Sequence, residues 1–126
     1  MAPSRNRELY PDNIVIVPKT GDIFHCRVPV VDWPHARVGA SWVDPGFFAP
    51  SVAMQNGLSP EELFAKHPHG RKADPDALTT VIGAVAGFFA RRGLQPAPPG
   101  LPTLRPFQAA QGEVARSWLA RRTGWR

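Results

Sequence analysis

Apolar and polar residues alternate along the first third of the chain in a pattern typical of β-strands. Residues 13–17 read NIVIV and are followed by the turn signal PKTG, and residues 22–31 read DIFHCRVPVV. In the second run, apolar and polar side chains fall on opposite faces of an extended chain until Pro29 interrupts the pairing. We expect a β-hairpin here, or a three-stranded sheet if residues 36–43 add a further strand.

A strong sequence signal for the start of a helix follows in the middle of the chain. Ser59 is a residue suited to cap a helix, Pro60 fits the first helical position, and Glu62 lies three residues after Ser59, as a capping box requires. Pro68 stops the pattern because it supplies no N–H and restricts the residue before it. The sequence therefore predicts a helix over residues 60–67.

Two further helices flank this one in sequence. Residues 50–56 predict a short helix that ends at Gly57, for which a left-handed conformation carries no Cβ penalty. Residues 75–92 predict a long helix between the cap residue Asp74 and the terminator Gly93. Its apolar residues recur at spacings of three and four, which indicates a central core helix. They are Leu78, Val81, Ile82, Val85, Phe88 and Phe89.

Gly83 and Gly87 lie one helical turn apart within this long helix and would give it a flat strip. Such a strip suits close packing against the sheet or a contact between two copies of the chain. We favour packing, because two glycines four residues apart are a specific signal for contacts between helices only in membrane helices.

The C-terminal quarter of the sequence divides into a proline-rich segment and a final helix. Residues 94–106 read LQPAPPGLPTLRP, which is typical of a semi-rigid connection. Residues 107–126 contain an amphipathic, basic helix. We therefore expect one compact α+β domain over residues 1–93, then a linker and the helix. The expected fold class is α+β, with a helix-turn-helix-like region after the strands.

Charge is unevenly distributed along the chain. Residues 1–63 hold five Lys/Arg and seven Asp/Glu, whereas residues 64–126 hold ten Lys/Arg and three Asp/Glu. The two halves thus carry −2 and +7, which sum to the net charge of +5. A basic half of this kind favours binding to a polyanion or to an acidic protein.

The compartment follows from features of the sequence as a whole. Cys26 is the only cysteine, so no intrachain disulfide forms, and the amino terminus does not resemble a signal peptide. The longest apolar run, residues 81–90, is too short to span a bilayer as a helix. We expect a cytoplasmic protein without a membrane partner.

Candidate chemistry is sparse. His67 and His69 could join His25 or His35 in a zinc site, but no second pair at ligand spacing accompanies them. A cationic group at the negative end of the preceding helix explains His67 equally well. The chain contains no glycine-rich phosphate loop, nucleophile elbow or H-E-x-x-H helix. We therefore expect no catalytic activity, no cofactor and no metal.

One stretch resembles a known family. The run GLSPEELFAKHPH at residues 57–69, followed after a short polar loop by ALTTVIGAVAGFFARR, resembles the small bacterial VapB-type antitoxins. In that family a short helix ends in glycine, a G-x-S-P-E-E segment opens the next helix, a proline closes it, and an alanine-rich helix follows. The resemblance covers residues 50–92 and implies a helix-turn-helix. It also implies a DNA-binding regulator or antitoxin that forms a homo-oligomer and binds a toxin.

The resemblance also implies contact residues. Lys66, Arg71 and Lys72 would meet DNA phosphates near the turn, and Arg91 and Arg92 would add to this surface. The C-terminal helix would bind the protein partner with apolar and basic side chains. The expected partner-binding residues are Phe107, Val114, Trp118, Leu119, Arg121 and Arg122.

A competing hypothesis stays open at this level. The chain could be an accessory subunit that docks into a larger complex through its proline-rich segment and final helix. DNA binding through phosphates weakens steeply with salt, whereas docking through apolar side chains tolerates salt better. The salt dependence of binding therefore distinguishes the two functions.

Overall fold

From residue 43 to residue 123 the described chain contains only helices and the turns between them, and the α+β prediction is wrong. A computed structural model describes residues 4–6, 17–19, 22–27 and 37–125. The described helical elements are α1 (Val43–Met54), α2 (Pro60–Lys66), a 3-10 helix (Gly70–Lys72), α3 (Pro75–Gly93) and α4 (Leu104–Thr123).

Among the described residues, strands occur as two short, separate antiparallel pairs. Strand β1 (Ser4–Asn6) pairs with β4 (Arg37–Gly39), and β2 (Val17–Lys19) pairs with β3 (Asp22–Arg27). The pairs share no strand, so the described residues contain no three-stranded sheet, and β4 is not a third strand of a hairpin. The remaining residues of the predicted strands before residue 37 lie outside the described part of the chain.

The core explains why the α+β class fails. Arg37 and Val38 of β4 are exposed, so this strand buries neither long side chain. From residue 37 onward, where burial is described, helices and the residue that precedes α1 supply the buried apolar side chains. The larger cluster consists of Trp42, Ala49, Phe64, Leu78, Ile82 and Trp118. A second cluster consists of Val85, Ala86, Phe89 and Ala115.

Helix α1 departs from the sequence prediction at both ends. It begins at Val43 and carries Pro50 inside it, fully buried, at the cost of one helical hydrogen bond. Asn56, not Gly57, takes the left-handed conformation at the end, with φ of 60°. Gly57 is required for a different reason: a Cβ there would lie 2.4 Å from Cγ1 of Val52.

The predicted starts of α2 and α3 are confirmed. Ser59 Oγ accepts from the backbone amide of Glu62 at 3.3 Å, and the Ser59 amide donates to the Glu62 carboxylate at 3.2 Å. Asp74 Oδ1 accepts from the amides of Asp76 and Ala77 at 3.0 and 2.9 Å. These local caps, together with Pro60 and Pro75, determine where the two helices begin.

Helices α3 and α4 form a closely packed antiparallel hairpin. A Cβ on Gly93 would lie 2.8 Å from Cβ of Ala109, and one on Gly112 would lie 3.1 Å from the amide nitrogen of Ala90. Gly87, in contrast, has open space around its Cβ position. The predicted glycine strip therefore does not provide the closest approach, which falls nearer the turn of the hairpin.

Candidate functional site

Three exposed cations surround the connection between α2 and α3. Lys66 ends α2, and Arg71 and Lys72 belong to the 3-10 helix. None of the three forms an ion pair with a described residue. We call Lys66, Arg71 and Lys72 the turn cation cluster. The structure thus brings together three of the five residues predicted to bind nucleic acid.

Close packing and backbone hydrogen bonds fix the backbone that carries this cluster. Gly70 is buried, and a Cβ there would lie 2.0 Å from the carbonyl oxygen of Phe64, so only glycine fits. The Arg71 amide donates to the His67 carbonyl at 3.1 Å, and the Ala73 amide donates to the Gly70 carbonyl at 3.1 Å. The cationic side chains therefore start from an ordered turn rather than from a free loop.

The two histidines of this turn interact with each other. Their ring centres lie 5.6 Å apart, and the His69 amide donates to Nδ1 of His67 at 3.2 Å. Partial burial, and secondarily the neighbouring His69, lowers the pKa of His67. Among the described residues, no group of three or more His, Cys, Asp and Glu side chains is placed to hold a metal ion.

Acidic residues lie next to the turn cation cluster. Asp74 and Asp76 occupy the start of α3, and Asp74 already caps that helix with its carboxylate. The exposed surface of α3 continues beyond these carboxylates without positive charge, at Thr80, Ala84 and Gly87. The carboxylates of Asp74 and Asp76 disfavour phosphate contacts by the first turn of α3.

Arg91 and Arg92 lie at the opposite end of α3. With 1.5 Å of rise per residue, the 17 steps from Asp74 to Arg91 span about 25 Å. Arg92 lies over the ring of Phe88, with 5.2 Å between its guanidinium carbon and the ring centre. The structure therefore divides the predicted nucleic-acid residues into two separate groups.

The predicted partner-binding residues of α4 are also divided. Trp118 is 1% exposed and belongs to the larger core cluster, so its ring already packs inside the body. Val114 and Leu119 are partly buried, whereas Phe107 and Arg121 are exposed. Only the partly buried and exposed members offer a surface to another molecule.

The sixth member, Arg122, holds three helices together. Its guanidinium donates to Glu61 of α2 at 2.8 Å, and to Thr79 Oγ1 and the Pro75 carbonyl of α3 at 3.1 Å each. The indole N–H of Trp118 donates to the same Glu61 carboxylate. This network had no signal in the sequence, because Glu61 and Arg122 are distant along the chain.

A shallow groove runs between the start of α2 and the exposed side of α4. It includes two predicted partner-binding residues, Val114 and Arg121. Its lining residues are Ala53, Gly57, Ser59, Pro60, Glu113, Val114, Ser117 and Arg121.

Large apolar side chains are exposed where the α3–α4 hairpin turns. Leu94 is 89% exposed and Leu101 is 53% exposed, and Phe88 and Phe107 are exposed to a smaller degree. We call Phe88, Leu94, Leu101 and Phe107 the hairpin-end surface. The proline content of residues 94–106 predicts a spacer, whereas the leucines among the prolines are the sequence signal for this exposed surface.

Comparisons with protein-family models, with curated proteins and with solved structures found no match. The resemblance to VapB-type antitoxins therefore stays a prediction. In the part of the chain that the structure describes, no helix combines the length and apolarity needed to cross a bilayer.

Proposed function

We propose that this chain is a small, non-catalytic, cytoplasmic DNA-binding regulator of the antitoxin type that also binds a protein partner. The turn cation cluster carries this proposal, because its three exposed cations extend from an ordered turn and lack ion pairs with described residues. Exposed cations on a fixed backbone are suited to contacts with phosphate groups.

The contact is with the sugar-phosphate backbone rather than with base edges. The cluster lies beside Asp74 and Asp76, which oppose the entry of α3 into a groove. Backbone contacts position a protein on a duplex without selecting a sequence. We therefore expect the described turn to bind duplexes of different sequence with similar affinity.

The salt dependence of binding tests the proposal. Three phosphate contacts give a slope of about −2.7 for the logarithm of affinity against the logarithm of salt concentration. Affinity then falls about 40-fold between roughly 50 and 200 mM salt. The triple variant Lys66→Ala/Arg71→Ala/Lys72→Ala should lose most of this slope, measured by fluorescence anisotropy with a labelled duplex.

A matched control removes three other exposed cations. The variant Arg37→Ala/Arg116→Ala/Arg121→Ala has the same net charge as the triple variant of the cluster. It should retain the wild-type slope, because these residues lie outside the turn. Equal losses in the two variants, or duplex binding by neither wild type nor control, would remove DNA from the proposal.

The second candidate is an accessory subunit of a larger complex, favoured by the groove between α2 and α4. Val114 and Arg121 offer an apolar and a cationic contact there. Docking in this groove predicts a complex that survives nuclease treatment. Val114→Ser/Arg121→Ser should release the protein partner from the native complex, while the turn cation cluster variant should not.

A further inference from the structure

We propose that the hairpin-end surface docks the protein reversibly onto an anionic lipid bilayer. The site is distinct from the turn cation cluster, which lies at the other end of α3. The sequence predicts no membrane partner, but peripheral docking requires no membrane-spanning helix.

Leu94 and Leu101 lie in the connection of the hairpin, Phe107 lies near the start of α4, and Phe88 lies five residues before the end of α3. Gly93 approaches Ala109 so closely that Leu94 and Phe107 both lie within one helical turn of this contact. The connecting segment is folded back on itself, because Arg105 Nε donates to the Pro96 carbonyl at 3.0 Å. Leu94 and Leu101 therefore project from an ordered turn.

Charge favours an anionic surface as the ligand. Residues 77–112 contain three arginines and no Asp or Glu. Arg91 and Arg92 are exposed at the end of α3, and Arg105 lies in the first turn of α4. The carboxylates of Asp74 and Asp76 lie at the far end of α3. This difference in charge between the two ends of α3 would orient the hairpin end toward anionic headgroups.

The backbone of the segment suits a bilayer interface. Four of the eleven residues in 94–104 are prolines, which have no amide N–H to desolvate. Four more, Leu94, Gln95, Leu101 and Leu104, donate their amides to carbonyls within the protein. Few backbone donors therefore lose water when the segment enters the interface.

A bilayer fits this surface better than an acidic protein does. Leu94, almost fully exposed, projects from the connection rather than from a groove. A protein partner would need a pocket for each projecting side chain, whereas fluid lipid adapts to them. Leucine and phenylalanine beside arginine are the combination with which peripheral segments enter the headgroup region.

Vesicle sedimentation of the full chain tests the proposal. Vesicles of phosphatidylcholine and phosphatidylglycerol in equal parts should bind the protein roughly a hundredfold more tightly than phosphatidylcholine alone, because three arginines lie near the surface. Leu94→Ser/Leu101→Ser should weaken binding about tenfold. Both leucines are exposed, so this variant keeps the wild-type circular dichroism spectrum.

The matched control removes two exposed apolar side chains elsewhere. Val38→Ser/Trp125→Ser should bind anionic vesicles as tightly as wild type. Equal binding to neutral and anionic vesicles, an unchanged Leu94→Ser/Leu101→Ser variant, or no sedimentation with either vesicle would overturn the proposal. Loss of a bound acidic protein in that variant, without any vesicle binding, would assign the surface to a protein instead.

Discussion

At the scale of single residues, the absence of a side chain at Gly112 allows α3 and α4 to pack closely. A Cβ on Gly112 would lie 3.1 Å from the Ala90 nitrogen and 3.3 Å from the Phe89 carbonyl carbon. These are backbone atoms of a packed helix, so they move only if the helices separate. We expect Gly112→Ala to lower the free energy of unfolding by about 1–3 kcal/mol, measured by urea denaturation.

Gly87→Ala is the control for this prediction. Gly87 is exposed within α3 and has no atom within 4 Å of its Cβ position. Replacing it should raise the free energy of unfolding by about 0.5–1 kcal/mol, because alanine loses less backbone entropy in a helix. A destabilised Gly87→Ala together with an unaffected Gly112→Ala would contradict the packing described for the hairpin.

His67 gives the fold a dependence on pH. Because its pKa is lowered in the folded state, the unfolded chain binds more protons when the pH lies between the folded pKa and about 6.5. The contribution of His67 to stability therefore falls as the pH drops through this window and levels off below the folded pKa of His67. Urea titrations at a series of pH values should show this decline.

His67→Asn isolates that contribution. Asparagine can still accept the His69 amide, as it does in turns, but it does not titrate. The difference between wild type and variant should grow as the pH falls through the window. A difference that stays constant with pH would contradict a lowered pKa for His67.

At the scale of elements, the helices begin where local caps place them. Ser59→Ala removes the side-chain half of a capping box and should lower the free energy of unfolding by about 1 kcal/mol. The Ser59 hydroxyl, and secondarily its amide, also hold the pKa of Glu62 below the ordinary value. The same variant should raise that pKa, measured by NMR titration of the carboxyl carbon.

Ser117→Ala provides the comparison within α4. Ser117 is an exposed residue in the interior of this helix, where alanine is the better helix former. We expect stability to remain equal or to increase slightly. If both serine variants lost stability equally, the loss could not be attributed to the cap.

At the scale of the whole molecule, Arg122 joins α2, α3 and α4. Its side chain is 15% exposed and makes charge-assisted hydrogen bonds to Glu61 as well as bonds to α3. Arg122→Ala should cost about 2 kcal/mol, because a partly buried hydrogen-bond network loses its donor. Thermal and urea unfolding of the variant measure this loss.

Arg116→Ala is the matched arginine variant. Arg116 pairs with Glu113 on the same helix, and the two side chains are 71% and 66% exposed. Solvent screens such a pair, so its removal should change stability by less than about 0.5 kcal/mol. Similar losses in the two arginine variants would mean that Arg122 does not join the helices in solution.

The sequence by itself determined the elements whose signals are local. Ser59, Glu62 and Asp74 placed two helix starts correctly, since a cap involves only neighbouring residues along the chain. The sequence also identified the cations of the α2–α3 connection. Whether those cations bind DNA stays a prediction.

Only the tertiary structure decided which residues pack together. The alternating residues before residue 40 suggested an α+β domain, but the described core is helical, and Trp118 of the last helix lies inside it. The hydrogen-bond network of Arg122 likewise had no signal in the sequence. The physical reason is that burial and charge pairing depend on distance in space, which caps and periodicity along the chain do not encode.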